Sequence, residues 1–402
     1  MVSLEDIRAA ERTIASSIIR TPLVFSPTLS AMTGANVYLK LETLQKAGSF
    51  KVRGALNKIL SRHNSLLDQG VIAASAGNHA QGVAVAAHSA GIPATIVMPE
   101  WASLSKQEAT RSYGARVIIA GKTLEESIEK AQEIARGGGG LFIHPFDDDE
   151  IIAGQGTIAL EIFADLPNTD MIVVPVGGGG LIAGIATAAK SIHPEIVVVG
   201  VQAASCPSAM KGSGMFEPAC ITQHRTIADG IRVAESGVRT LPVIRELVDR
   251  IVLASEDEIA DAMLLLLERK HIIAEGAGAV PLAAMLNGSI AVRAGSNIVL
   301  VISGGNVDSA LLFRIVRQAL IRHGRIMRFS VLLDDNPGAL TRLLGVIAEQ
   351  QGNILHVHHT LGESDIPVLM AHVQIELETR GHDHIKEIEK ALHGQGYEIQ
   401  RG

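Results

Sequence analysis

The chain has 402 residues, 47% apolar, 19% charged and 3% aromatic, with 40 glycines and a formal net charge of −7. That length suits two or three domains with sizeable cores, and the aliphatic, glycine-rich composition suits buried parallel strands under packed helices. The acidic balance without a basic block argues against nucleic acid or an anionic membrane as partner.

The N-terminus, MVSLEDIRAAERTIASS, reads as an amphipathic helix capped by Ser3 with Asp6 three residues on, not as a signal peptide. TPLVFSPTLSAMTG and ANVYLKLE then read as a loop, a short helix and a strand. LETLQKAGSFKVRGA follows, with Lys51 between Phe50 and Val52 at the start of a helix-like run. From Val71, the short apolar strands VIAASAG, PATIVMPE, RVIIAG and LFIHPF alternate with helical stretches, as in a parallel sheet. The alternation continues through TIALEIFADL, MIVVPV, LIAGIATAAKSIH and EIVVVGVQA, then EIADAMLLLLERKH, the helix AGAVPLAAMLNG and the strand NIVLVISGG. Ala310–His323 reads as a last helix closed by Gly324. The longest uncharged run, Met171–Ala189, contains Pro175 and four consecutive glycines, so it reads as strand, loop and helix rather than a membrane span. Beyond a boundary near Gly324–Arg325 the order becomes βαββαβ, a ferredoxin-like unit. Cys206 and Cys220 cannot build a disulfide framework, and a reduced, cytoplasmic setting is expected.

Several stretches carry chemistry. Lys51 sits where the helix dipole disfavours a cation. Its apolar neighbours and the Gly48-Ser49 lead-in allow burial, which lowers an amine's pKa and suits a Schiff base. Taken alone, the segment also reads as a surface lysine snorkelling from a solvated face. Gly137–Gly140 follows a charged helix and reads as a C-cap and connector. Gly177–Gly180 lies between an apolar strand and a helix, where main-chain N–H groups cradle a phosphate. Gly178, Gly180 and Ala183 fit a dinucleotide pattern, but the next strand ends at Gln202 instead of a carboxylate, which weakens that reading. A P-loop fails at Arg116, and alanine replaces the second glycine before Lys190-Ser191. A small phosphorylated cofactor remains. The turn SAGNHAQG offers Ser75, Asn78 and His79 at a helix N-terminus, as a carboxylate receptor or as ordinary capping. Ser303 begins SGGN at a strand end. Glu275 is a lone carboxylate in an apolar run, catalytic or merely capping. His356, His358 and His359 read as a solvated strand face rather than metal ligands.

Four motifs in this order, GSFKVRGA, SAGNHAQG, PVGGGGL and SGGN, resemble the tryptophan-synthase-β-like (fold type II) pyridoxal-phosphate enzymes, and within them the threonine dehydratase (threonine ammonia-lyase) family. The resemblance implies a two-lobed α/β catalytic region with mainly parallel sheets. Residues 1–66 and 148–323 would form the large lobe, and 67–147 a small lobe closing over substrate. Residues 326–402, with the turn DDNPGAL, resemble an α+β ACT domain for regulation or dimerisation. Implied are pyridoxal 5′-phosphate as cofactor, L-threonine and L-serine as substrates, isoleucine or valine as effectors at Asp335, Asn336 and Gly338, and a dimer or tetramer. The implied reaction removes water from threonine and yields 2-oxobutanoate and ammonia.

Carried over by motif, Lys51 would be the Schiff-base lysine and proton shuttle, with Phe50 packed near the ring. Gly177, Gly178, Gly179 and Gly180, with Leu181, would hold the phosphate. Asn78 would meet the 3′-oxygen. Ser303, followed by Gly304, would face the pyridine nitrogen, and Glu275 would lie near it. Ser75, with Ala76, Gly77, Asn78 and His79, would take the substrate carboxylate. Serine racemase, a close relative, carries a serine directly after the position of Ser75; here that residue is Ala76, so racemisation is expected to be weak or absent. Its metal-binding carboxylates are matched by Gln202 and Ser208, which would hold a hard divalent cation poorly, so no metal is assigned and a monovalent cation or water stays open. Rival readings are a serine dehydratase or racemase-like enzyme, a threonine synthase (which would need a second phosphate cradle), and a non-catalytic amino-acid-binding regulator.

Overall fold

The computed structural model describes residues 1–67, 69–213, 225–361 and 367–401. Cys220 lies outside them. Two compact units emerge, Met1–Ser309 and Ala310–Gly402.

The first unit is α/β with two sheets. The larger has six strands in the order Leu23–Phe25, Asn36–Leu41, Asn297–Ile302, Met171–Pro175, Val197–Ala203 and Arg250–Ala254. The first pair is antiparallel and every later pairing is parallel. The smaller is parallel throughout, in the order Arg116–Ile119, Ala94–Met98, Val71–Ala74 and Leu141–Phe142. The central strands are buried on both faces, as helical crossovers require. One aliphatic core gathers around the large sheet and the helices Asp149–Asp165 and Gly180–Ile192. Another gathers around the small sheet and the helices Lys51–Leu60 and Asn78–Ala90.

Some elements depart from expectation, among them the edge strand Arg250–Ala254, in a stretch to which the sequence reading assigns no element. Leu23–Phe25 pairs as an edge strand, where the sequence reads as a loop. Three residues are too few to show an alternating pattern. LFIHPF is a strand only at Leu141–Phe142. His144 Nδ1 instead accepts the N–H groups of Phe146 and Asp147, at 3.3 and 2.8 Å, and so turns the chain.

Some glycines are dictated by close helix contact. A Cβ at Gly154 would come within 2.6 Å of the Gly54 Cα. The helix carrying Lys51 therefore presses backbone to backbone on Asp149–Asp165. A buried charge network locks that contact. Arg53 and Lys40 are fully buried. Arg53 meets both oxygens of Glu42 at 2.8 Å and Glu161 at 2.7 and 3.0 Å. Lys40 Nζ reaches Glu161 at 2.5 Å and the Thr21 carbonyl at 2.6 Å. Burial pulls the Lys40 pKa down against the pull of Glu161. Burial would lower Arg53 too, but Glu42 and Glu161 prevail and raise it.

The second unit begins earlier than Gly324–Arg325, because the helix Ser309–Arg322 groups with it. Arg317 on that helix pairs with Glu376 at 2.5 Å, and Thr379 donates to the Gly324 carbonyl at 2.6 Å. Its sheet is antiparallel, in the order Asn353–Thr360, Met370–Glu378, Ile326–Asp334 and Ile399–Arg401. The helices Ala339–Glu349 and His382–Gly394 fill its core. Gly338, in the left-handed region at φ +89°, caps the first of them after the Asp335-Asn336 turn. His356, His358 and His359 are exposed on the edge strand. Among the described residues, no group of three or more His, Cys, Asp or Glu is placed to hold a metal, and no helix is long and apolar enough to cross a membrane.

Arg53→Met leaves two buried carboxylates facing one lysine. It is expected to destabilise the first unit by about 3–5 kcal/mol, read as a lower urea midpoint at unchanged slope.

Candidate active site

Four strand ends meet at one cavity of about 700 Å³. They are the C-terminal ends of parallel strands, where loops and helix starts leave main-chain donors available. The chain leaving Asn36–Leu41 reaches Lys51; Val71–Ala74 leads to Ser75–His79; Met171–Pro175 to Gly177–Gly180; and Asn297–Ile302 to Ser303. Ser49 pairs with Gly304 as an isolated bridge, Phe50 N–H donates to the Ser303 carbonyl at 3.1 Å, and Gly305 N–H to the Gly48 carbonyl at 3.0 Å. These bonds join the lysine segment to SGGN across most of the sequence.

Lys51 is the first residue of its helix, behind a Phe50 that provides no side-chain cap. Its Nζ donates to the Pro145 carbonyl at 2.8 Å and lies 5.2 Å from the Phe50 ring centroid. Desolvation pulls its pKa from 10.5 down to about 8, opposed by Glu275. The same cause acts oppositely on Glu275. Burial, and then the Asp229 charge, push it up to about 8 against the Asn78 hydrogen bond and the Lys106 and Lys51 charges. Asn78 donates to Glu275 at 2.6 Å, and its carbonyl oxygen accepts from Asn306 at 2.8 Å.

The N–H groups of Gly177–Leu181 find no main-chain acceptor among the described residues, and these residues line the cavity. Gly179, at φ +96°, caps the helix Gly180–Ile192 with no side-chain bond. Ser303 is buried and lines the cavity wall. A Cβ at Gly304 would come within 2.5 Å of Glu275, so glycine is needed there. At the second turn, Ser75 Oγ accepts the Gly77 N–H at 3.1 Å and keeps its own proton to donate. Ala76 lines the cavity beside it. The His79 ring faces the Ile143 carbonyl at 2.9 Å, and burial then Lys51 lower its pKa to about 3. The Nε2 edge of the His79 ring is thereby turned to the main chain. An amine whose pKa is lowered to about 8, a set of N–H groups without main-chain acceptors and a serine on the wall fit an aldehyde, a phosphate and a ring nitrogen respectively.

Residues 14–304 match the family described as pyridoxal-phosphate dependent enzyme. The chain belongs to that family. Pyridoxal 5′-phosphate is its cofactor, and the fold is the type II fold of this family. Over 400 residues it is 47% identical to the L-threonine ammonia-lyase of Thermotoga maritima, covering 100% of this chain and 99% of that one. The corresponding protein of Geobacter sulfurreducens is 46% identical, with 97% of each chain covered. Among solved structures, the processed form of threonine deaminase isoform 2 from Solanum lycopersicum superposes with a TM-score of 0.74 at 38% identity, over 79% of this chain and 92% of that one. Maize serine racemase superposes at 0.74 and 36% identity, over 80% and 99%.

Several wall residues of this family member carry little signal in the sequence. Asn306 stands there only as the end of SGGN, yet it also bonds Ala47 at 2.7 Å. Pro145 and Phe146 read as strand. Lys106, paired with Asp229 at 3.1 Å, and Trp101 line the wall from distant segments. The Gln202 side chain is engaged within the fold: its amide oxygen accepts from Ala209 and Met210, and its nitrogen donates to the Val176 carbonyl and Ser208.

Because Lys51 must lose a proton to attack an aldehyde, cofactor capture by apoprotein is expected to accelerate about tenfold per pH unit up to about pH 8 and level off above it. Stopped-flow absorbance across pH 6–10 checks this. Trp101 is the only tryptophan, so its emission is expected to be quenched in step with cofactor uptake.

Proposed function

We propose that this chain removes water and then ammonia from L-threonine, and from L-serine, yielding 2-oxobutanoate or pyruvate. The observation that carries this reading is the Lys51 amine, held by the Pro145 carbonyl and brought by burial to a pKa of about 8 within a wall of main-chain donors. Relatives named as L-threonine ammonia-lyases at 46–47% identity over nearly the whole chain support the substrate.

Pyridoxal phosphate, when bound, supplies a carbonyl that condenses with amines and a ring that draws electrons from the α-carbon. The chain does the rest. Lys51 is the covalent anchor, and as a free amine it takes the α-proton. The N–H groups from Gly177 to Leu181 hold the phosphate. Ser303 faces the pyridine nitrogen. A hydroxyl does not impose a proton there as a carboxylate would, which favours early departure of the β-hydroxyl over a long-lived carbanion. Phe50 packs beside the ring, Gly304 lets the chain approach it, and Glu275 supports Asn78 at the 3′-oxygen. Ser75 and the N–H groups of Ala76, Gly77, Asn78 and His79 hold the substrate carboxylate. Ala76 carries no proton for the face opposite Lys51.

In the same reading, residues 67–147 form a small lobe that closes over substrate, and residues 1–66 and 148–323 the large lobe. The antiparallel second unit is read as an ACT domain that senses isoleucine or valine at Asp335, Asn336 and Gly338 and supports a dimer or tetramer. The left-handed Gly338 cap and the exposed edge strand Asn353–Thr360 support this.

Purified protein is expected to be yellow and to release 2-oxobutanoate from threonine. Lys51→Ala should be colourless and lose at least about 10³-fold in kcat. A yellow protein inert to threonine and serine sinks the lyase reading. Chiral chromatography is expected to find no D-serine above the non-enzymatic rate. Calorimetry of the full chain with isoleucine and valine is expected to show binding and a changed rate; no heat and no rate change would reduce the second unit to an assembly module.

A further inference from the structure

Two residues of the tetrapeptide His144–Asp147, Pro145 and Phe146, line the cavity. His144 Nδ1 fixes its turn by accepting Phe146 N–H and Asp147 N–H. The Pro145 carbonyl holds Lys51 Nζ at 2.8 Å. The Phe146 ring lies so close over Gly178 that a Cβ there has no room, and the Phe146 carbonyl would sit 2.9 Å from a Cβ at Gly180.

Asp147 acts one step further away. Its two carboxylate oxygens accept Arg239 N–H at 2.8 Å and Val238 N–H at 3.1 Å. The same carboxylate packs against Gly237, where any side chain would strike it. Gly237 N–H in turn donates to the Gly178 carbonyl at 3.1 Å, and the Thr240 hydroxyl donates to that carbonyl at 2.6 Å. In a trans peptide the N–H of Gly179 points opposite the carbonyl of Gly178. Anchoring that carbonyl on Gly237 and Thr240 therefore aims the Gly179 N–H away from the anchor. An ionised acceptor on two main-chain donors is a strong way to fix such a loop.

We propose that His144–Asp147 is a positioning strap that sets the Lys51 amine and the N–H groups of Gly177–Gly180 at a fixed spacing, with Asp147 and Thr240 as positioning residues for the cofactor's phosphate. The inference rests on the reading of Gly177–Gly180 as the phosphate site. It distinguishes this carboxylate from the others near the cavity: Asp147 acts on the phosphate through the 237–240 segment and touches neither cofactor nor substrate.

The test compares pyridoxal phosphate with pyridoxal, which keeps the aldehyde and lacks the phosphate. Each is titrated into apoprotein and followed by Schiff-base absorbance, with far-UV circular dichroism as the folding control. Asp147→Ala and Thr240→Val are expected to raise the Kd for pyridoxal phosphate at least about tenfold and to leave that for pyridoxal within about twofold. Asp147→Asn, which keeps one acceptor oxygen, should fall between wild type and Asp147→Ala. Should Asp147→Ala not fold, Thr240→Val carries the test, since it removes one hydroxyl at nearly constant volume. Equal weakening of both ligands, or no change in either, overturns the strap. Wild-type protein that binds the two ligands alike overturns the phosphate reading itself, and the strap with it.

Discussion

The first unit is built around a buried guanidinium. Arg53 places its N–H groups on Glu42, Glu161 and Thr157, and Lys40 completes the set. Single charges at such depth are costly, and only near-complete pairing keeps them. The four charged residues come from a strand, the turn after it, the helix of Lys51 and the helix Asp149–Asp165. Two residues along a helix is about 200° of rotation. The network therefore grips the helix from behind, and Lys51 is left facing the cavity. The glycine contact between Gly54 and Gly154 supplies the second constraint, by fixing how near the two helices lie.

Inside the cavity one physical cause does most of the tuning. Removal of water lowers the amine and raises the carboxyl. Both shifts favour the neutral form, which an amine needs to attack and a carboxyl needs to sit beside other polar groups without a cation. Asn78 mediates between Glu275 and Asn306, so three side chains from separate segments form one chain of hydrogen bonds. The N–H groups of Gly177–Leu181 line the same cavity and carry no titratable group.

The long apolar strands and the strongly periodic helices are legible because burial leaves a pattern in the sequence. So are the Gly177–Gly180 turn and Ser303, each just after an apolar strand, and Lys51, a cation at the first position of a helix. The short strand at Leu23–Phe25 and the early end of LFIHPF are not. The first has too few residues to show a period. The second is ended by a histidine side chain taking the backbone donors, an interaction no propensity scale sees. The helix Ser309–Arg322 is legible as a helix, but not its place in the second unit, since its partner Glu376 lies far along the chain.

By itself, then, the sequence determined the α/β class, the parallel order of the first unit, the antiparallel ending and a lysine, a glycine turn and a serine suited to a small phosphorylated cofactor, because those depend on local periodicity and on chemistry each residue carries alone; pyridoxal phosphate was implied by the resemblance of four motifs. Only the tertiary structure decided which nitrogen of His144 accepts, that the Pro145 carbonyl holds the lysine, and that Asp147 reaches the Gly177–Gly180 turn through Gly237 and Thr240. Those facts depend on distances between segments far apart in the chain. Local pattern carries no record of such distances; packing sets them.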